Sequence, residues 1–157
     1  MKDRWARQLA LRVATLAGLG TVAYAPGTCA TGLTLGFIFF VSWLGVSLPI
    51  YLAIVCGSVL VAYTSISVAL PLFYNDADPS PIVIDEVVGT LITFAGIALS
   101  LKTLLLGFVL FRMFDIAKPF GIKRVERLDG PAGILADDIV AGLYANGFIH
   151  LYLWFFA

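Results

Sequence analysis

From Val13 to Asn75 this chain carries not one charged side chain, and beyond that stretch four of the acids arrive as two adjacent pairs, Asp85-Glu86 and Asp137-Asp138. So long a run without charge belongs in lipid. Composition agrees: 61% of residues are hydrophobic and 13% charged, with a mean hydropathy of +0.98, where soluble domains carry about 25% charged residues. The chain reads as an all-α, polytopic integral membrane helical bundle with short or re-entrant helices. Residues 1–157 form a single membrane-embedded domain, too short to add a soluble catalytic module, so chemistry belongs at the membrane surface in an interfacial site. A net charge of +0 points to no nucleic-acid partner. Cys29 and Cys56 match no metal-ligand spacing and are expected as two buried free thiols.

The apolar segments divide the chain. Lys2, Arg4, Arg7 and Arg12 precede Val13 to Ala25, which falls short of the roughly 20 residues a crossing needs and is expected to lie in the interface or to dip in and return. Leu33 to Leu48 and Ile50 to Phe73 read as a helical hairpin turning at Leu48-Pro49, with a polar loop from Asn75 to Pro81. Val87 to Phe111 fits one helix of ~37 Å or two shorter helices turning at Ser100-Leu101-Lys102. The hairpin is favoured: a lysine at the bilayer centre costs at least ~2.5 kcal/mol, and a return places Arg112 and Asp115 beside Asp85 and Glu86. After a mixed loop from Ile116 to Ala136, Ile139 to Phe156 crosses once, with His150 near its far end. The basic clusters at the amino terminus and at Lys118, Lys123, Arg124 and Arg127 orient both toward the cytoplasm, which puts every acidic pair on one side.

Asp85-Glu86 and Asp137-Asp138 share a design in which two acids open an apolar helix and a glycine follows, Gly89 or Gly142. Small residues let helices approach closely and so bring the acids together. Helix capping explains a single acid at such a position but explains two doublets poorly. Clustered carboxylates at a low-dielectric boundary need a cation, and hard oxygen ligands with open positions suit Mg²⁺ shared with a phosphate. Arg112, Asp115 and Lys118 recur every third residue before Pro119 and Gly121, along one helical face. They read either as an ion-pair ladder or as a phosphate clamp in which Arg112 is bidentate, Lys118 a point charge and Asp115 part of the metal shell. Pro26-Gly27-Thr28 reads as a turn whose amides and hydroxyl can hold an anion. Asp76 to Ser80 has the look of an aspartate phosphatase loop but follows an apolar helix in place of a parallel strand, and the lone His150 does not suit histidine-based phosphoryl transfer.

Four blocks, in order, resemble the phosphatidylglycerophosphatase A family of bacterial membrane lipid phosphatases: Ala25 to Thr28, Ile84 to Gly89, Phe111 to Pro119 and Gly133 to Gly142. The resemblance implies Mg²⁺-dependent hydrolysis of phosphatidylglycerophosphate, an anionic phospholipid, to phosphatidylglycerol and phosphate at the cytoplasmic side of the bacterial inner membrane. Carried over by position, it implies Asp85, Glu86, Asp115, Asp137 and Asp138 as catalytic, with Asp85, Glu86, Asp137 and Asp138 on the metal and Thr28, Arg112 and Lys118 on the phosphate. The chain departs from the family pattern at Cys29 to Gly32, at Gly121 and at Leu135. Direct attack by water and a covalent aspartyl-phosphate both remain open at this level. The rival reading is a small transporter or ion-translocating subunit, whose signature is charge near segment midpoints; among the charged residues only Lys102 fits it better.

Overall fold

The structure, a computed structural model, describes residues 2–73 and 78–156. Asp76 and the neighbouring part of the polar loop lie outside those residues. The described residues fold into helices α1 (Lys2–Ala14), α2 (Pro26–Trp43), α3 (Leu48–Ala69), α4 (Ile84–Thr93), α5 (Leu101–Ala117), α6 (Ile122–Val125) and α7 (Pro131–Phe156). Three stretches are long and apolar enough to cross a bilayer: Pro26–Trp43, Leu48–Phe73 and Pro131–Phe156. Their outward faces carry large apolar side chains such as Phe37, Phe40, Leu60 and Trp154, which suits contact with lipid.

Prolines start helices here where the sequence suggested turns. Pro26 and Pro49 occupy the first turns of α2 and α3, where a missing N–H costs nothing and the fixed φ already fits a helix. The α2–α3 connection therefore falls at Leu44 to Ser47, around Gly45 at φ +67, and the expected turn at Leu48-Pro49 is displaced. Likewise Pro26-Gly27-Thr28 is the first turn of α2 and not a free-standing loop. Val13 to Ala25 is not one continuous helix. After α1 it becomes a tight irregular loop with positive φ at Leu16, Ala17 and Gly18. Ala14 O accepts from Val83 N at 2.9 Å, and a Cβ at Gly20 would overlap the Pro81 carbonyl. The loop thus fixes the chain just before Asp85.

Val87 to Phe111 does form a hairpin, but the break lies earlier than Ser100-Leu101-Lys102. Helix α4 has 10 residues, about 15 Å at ~1.5 Å per residue, half of a bilayer core. The chain then reverses through Phe94 to Ser100, with Gly96 at φ +72. Ser100 begins α5 through a reciprocal capping box with Thr103, which leaves Lys102 exposed in the first helical turn. A helix that ends inside the bundle must place its last carbonyls somewhere. Tyr51 Oη donates to Leu91 O at 2.8 Å, and Asn146 Nδ2 donates to Thr93 O at 3.0 Å and Ala95 O at 2.9 Å. One α7 amide thereby anchors the turn.

Helix α7 begins at Pro131, six residues ahead of Asp137 by the sequence numbering. Asp137 and Asp138 therefore sit within the helix and not at its opening, and capping or the macrodipole cannot account for them. Cys29 and Cys56 are free but exposed, not buried, since a weakly polar thiol on an outward helical face is tolerated by lipid.

Replacing Asn146 with leucine strands two carbonyls at the end of α4. We expect Asn146→Leu to destabilise the protein by about 1–2 kcal/mol, read as a lowered midpoint of thermal unfolding in detergent. An unchanged midpoint would show that the amide does not hold the hairpin.

Candidate active site

The site is assembled by a close crossing of α4 and α7. A Cβ on Gly142 would overlap the Gly89 backbone, and one on Gly89 would press into the Phe111 ring and lie 2.8 Å from Asp138 O. Backbone meets backbone at these glycines. One turn earlier on each helix stand Asp85 and Asp138, which are 7% and 3% exposed. Glu86, beside Asp85, faces the first turn of α2, where Gly27 leaves the room: a Cβ there would overlap the Glu86 carboxylate.

Together these elements enclose a cavity of about 250 Å³ whose wall includes Gly27, Asp85, Glu86, Arg112, Asp115, Lys118, Asp137 and Asp138. The structure thus brings together every charged residue singled out from the sequence. Thr28 is the exception: it is half-buried in the same helical turn, but the wall is formed by Ala25, Pro26 and Gly27. Asp78 and Ser80 also line the cavity and were not singled out as site residues. Their signal was an acid and a hydroxyl on either side of Pro79, in a proline-rich stretch shortly ahead of the first acidic pair.

The acids divide by partner. Asp137 accepts from Lys118 Nζ at 2.7 Å, and the same ammonium reaches Glu126 Oε1 at 2.7 Å. Burial opposes the charge on Lys118, yet the two carboxylates outweigh it and hold the ammonium above its ordinary range. Lys118 caps α5 in the left-handed conformation, one of the sparsely populated backbone states that proteins keep where side chains must be aimed. Arg112 ion-pairs with Asp115 and lies 3.9 Å from Glu86 Oε1. Asp85, Glu86 and Asp138 form a separate group, with one oxygen from each inside a 4.8 Å spread.

That group is short of positive charge. Among the described residues, the buried oxygens Asp85 Oδ1 and Glu86 Oε2 have no hydrogen-bond partner, nor does Arg112 Nε. Burial, reinforced by Glu86 and by Asp78, pushes Asp85 well above the usual carboxylate range. Burial also raises Glu86, with Asp115 adding to the effect and Arg112 opposing it. Three hard oxygen donors, two of them with orphaned buried atoms, fit a divalent cation, and these residues can hold a metal ion. His150 lies on α7 about 18 Å beyond Asp138 at ~1.5 Å per residue, near Gly96 at the hairpin turn, and takes no part.

Fold and site define a class: a helical membrane protein in which cations line a cavity beside a cluster of buried carboxylates. Comparison with known proteins makes this specific. Residues 12–153 match the family described as phosphatidylglycerophosphatase A, and the chain belongs to that family. It is 38% identical over 135 residues to the phosphatidylglycerophosphatase A of Haemophilus influenzae, covering 82% of this chain and 78% of that protein. It is 31% identical over 138 residues to the Escherichia coli protein of the same name, covering 85% and 77%. A Bacteroides thetaiotaomicron protein provisionally named a phosphatidylinositol-3-phosphatase is 36% identical over 80 residues, half of its length at 50%. No solved structure matches the chain.

The Lys118–Asp137 pair is buried enough to matter, whereas the Glu126 carboxylate is 40% exposed and its pairing adds little. Lys118→Met should cost about 3 kcal/mol by leaving Asp137 unpaired, and adding Asp137→Asn should recover most of it. Equal destabilisation by the single and double variants, measured by thermal unfolding in detergent, would show that the pair is not coupled.

Proposed function

We propose that this protein hydrolyses phosphatidylglycerophosphate to phosphatidylglycerol and inorganic phosphate, with Mg²⁺ held by Asp85, Glu86 and Asp138, at the cytoplasmic face of the bacterial inner membrane. The observation that carries this reading is the buried carboxylate trio with orphaned oxygens, set in one cavity wall with Arg112 and Lys118. A divalent ion in that trio would neutralise phosphate charge and lower the pKa of a bound water.

The chain's own groups supply the rest. Arg112, steered by Asp115, presents guanidinium donors to the phosphate oxygens. Lys118, pinned between Asp137 and Glu126, contributes a fixed positive charge. Asp137 therefore acts on Lys118, in contrast to the metal-ligand role implied by its doublet. Ala25, Pro26 and Gly27 at the start of α2 line the same cavity, and the start of a helix suits an anion; this backbone, more than the Thr28 hydroxyl, is the part of Pro26-Gly27-Thr28 at the cavity wall. The cytoplasmic orientation rests on the basic residues of α1 and of the α5–α7 connection.

An ion-translocating role is less well supported. A conduction path needs charged groups at successive depths, and here the acids gather in one cavity at one end of the bundle.

Phosphate release from purified protein and phosphatidylglycerophosphate should require Mg²⁺ and be abolished by chelation. Asp138→Asn and Glu86→Gln should each lower kcat roughly a hundredfold or more, while circular dichroism shows the helical content retained. Metal-independent hydrolysis by Asp138→Asn, or ion flux without hydrolysis, would contradict the assignment.

A further inference from the structure

Beside the carboxylate cavity lies a second one, of about 380 Å³, formed where the end of α3 meets the α6–α7 connection. The two share Asp78 and Asp137 in their walls and so adjoin one another. The second cavity has an apolar side, Leu70 and Ile134, and a polar side of Arg127 with the carboxylates Asp78, Glu126, Asp129 and Asp137, of which Glu126 and Asp137 are paired with Lys118. Its guanidinium differs from the cations of the first cavity. Arg112 is engaged by Asp115 and Glu86, and Lys118 by Asp137 and Glu126, whereas Arg127 has no ion-pair partner among the described residues.

The substrate assigned above has a matching second part. Its terminal phosphomonoester is joined through a glycerol carrying one hydroxyl to a phosphodiester, and only then to the diacylglycerol. A phosphatase that binds the monoester alone has no means of telling this lipid from any other lipid phosphomonoester. We propose that the cavity at Arg127 is the headgroup subsite: Arg127 pairs with the phosphodiester, Asp129 accepts from the glycerol hydroxyl, and Leu70 and Ile134 line the way of the acyl stems toward lipid. With Lys118 holding Glu126 and Asp137, Arg127 is the unengaged cation of this wall for one monoanion, Asp129 is a carboxylate for a hydroxyl, and Leu70, just past α3, and Ile134, on α7, lie in stretches long enough to cross the bilayer. Arg127 then sets specificity without touching the scissile bond. This inference rests on the phosphatase reading of the first cavity.

The test compares wild type with Arg127→Gln and Arg127→Glu on phosphatidylglycerophosphate and on phosphatidic acid, which has a phosphomonoester but no diester. Inhibition by glycerophosphoglycerol, a soluble diester with no scissile group, is measured in parallel. Arg127→Gln should raise KM for phosphatidylglycerophosphate roughly tenfold or more with kcat nearly kept, Arg127→Glu should raise it further, and inhibition by the diester should weaken in step. Hydrolysis of phosphatidic acid should be unchanged. Equal loss on both lipids, no loss on either, or undiminished inhibition by the diester would overturn the subsite. Wild type that releases no phosphate from either lipid would overturn the phosphatase reading itself, a separate outcome.

Discussion

Everything at this site depends on the contact between Gly89 and Gly142, where α4 and α7 approach until backbone meets backbone. Helices normally pack 8–10 Å apart, and a side chain at either glycine would hold them further apart. The approach has an electrostatic consequence. Asp85 and Asp138, one turn away on each helix, are brought together where both are almost wholly buried, and Glu86 joins them under Gly27. Three carboxylates in so small a space cannot all ionise without a counter-charge. The arrangement suits a bound cation.

The remaining charges are organised around that centre by pairing. Arg112 and Lys118 are each held by carboxylates, so both cations of the cavity wall are fixed in place, as the proposed phosphate binding requires. In the proposed reaction, preorganisation of this kind would supply much of the electrostatic contribution. The scaffold serves the same end: α4 stops short within the bundle because Asn146 and Tyr51 take its final carbonyls. A full crossing by the same residues would have carried Arg112 and Asp115 to the wrong side.

Much of this was legible in the residues. The charge-free run required lipid, the cost of burying Lys102 favoured a hairpin, and the acid–glycine spacing of Asp85 to Gly89 and Asp138 to Gly142 implied the close crossing. Helix boundaries were less legible, because Pro26, Pro49 and Pro131 are compatible with both a turn and a first helical turn, and only packing decides. For that reason Asp137-Asp138 was misread as a helix opening. Asn146 could not be found from sequence, since an amide within an apolar span gains its meaning from carbonyls more than fifty residues away. The division of labour between Asp137 and Asp138 was hidden for the same reason: adjacent residues on a helix point about 100° apart, one toward Lys118 and the other toward Asp85.

The most direct measurement is the binding of Mn²⁺, as a paramagnetic substitute for Mg²⁺, to purified protein in detergent, followed by electron paramagnetic resonance. Wild type should bind it in competition with Mg²⁺, Asp85→Asn and Asp138→Asn should each lose the site, and Asp137→Asn should keep it. Binding that persists undiminished when both Asp85 and Asp138 are replaced would show that these buried carboxylates do not form the metal centre.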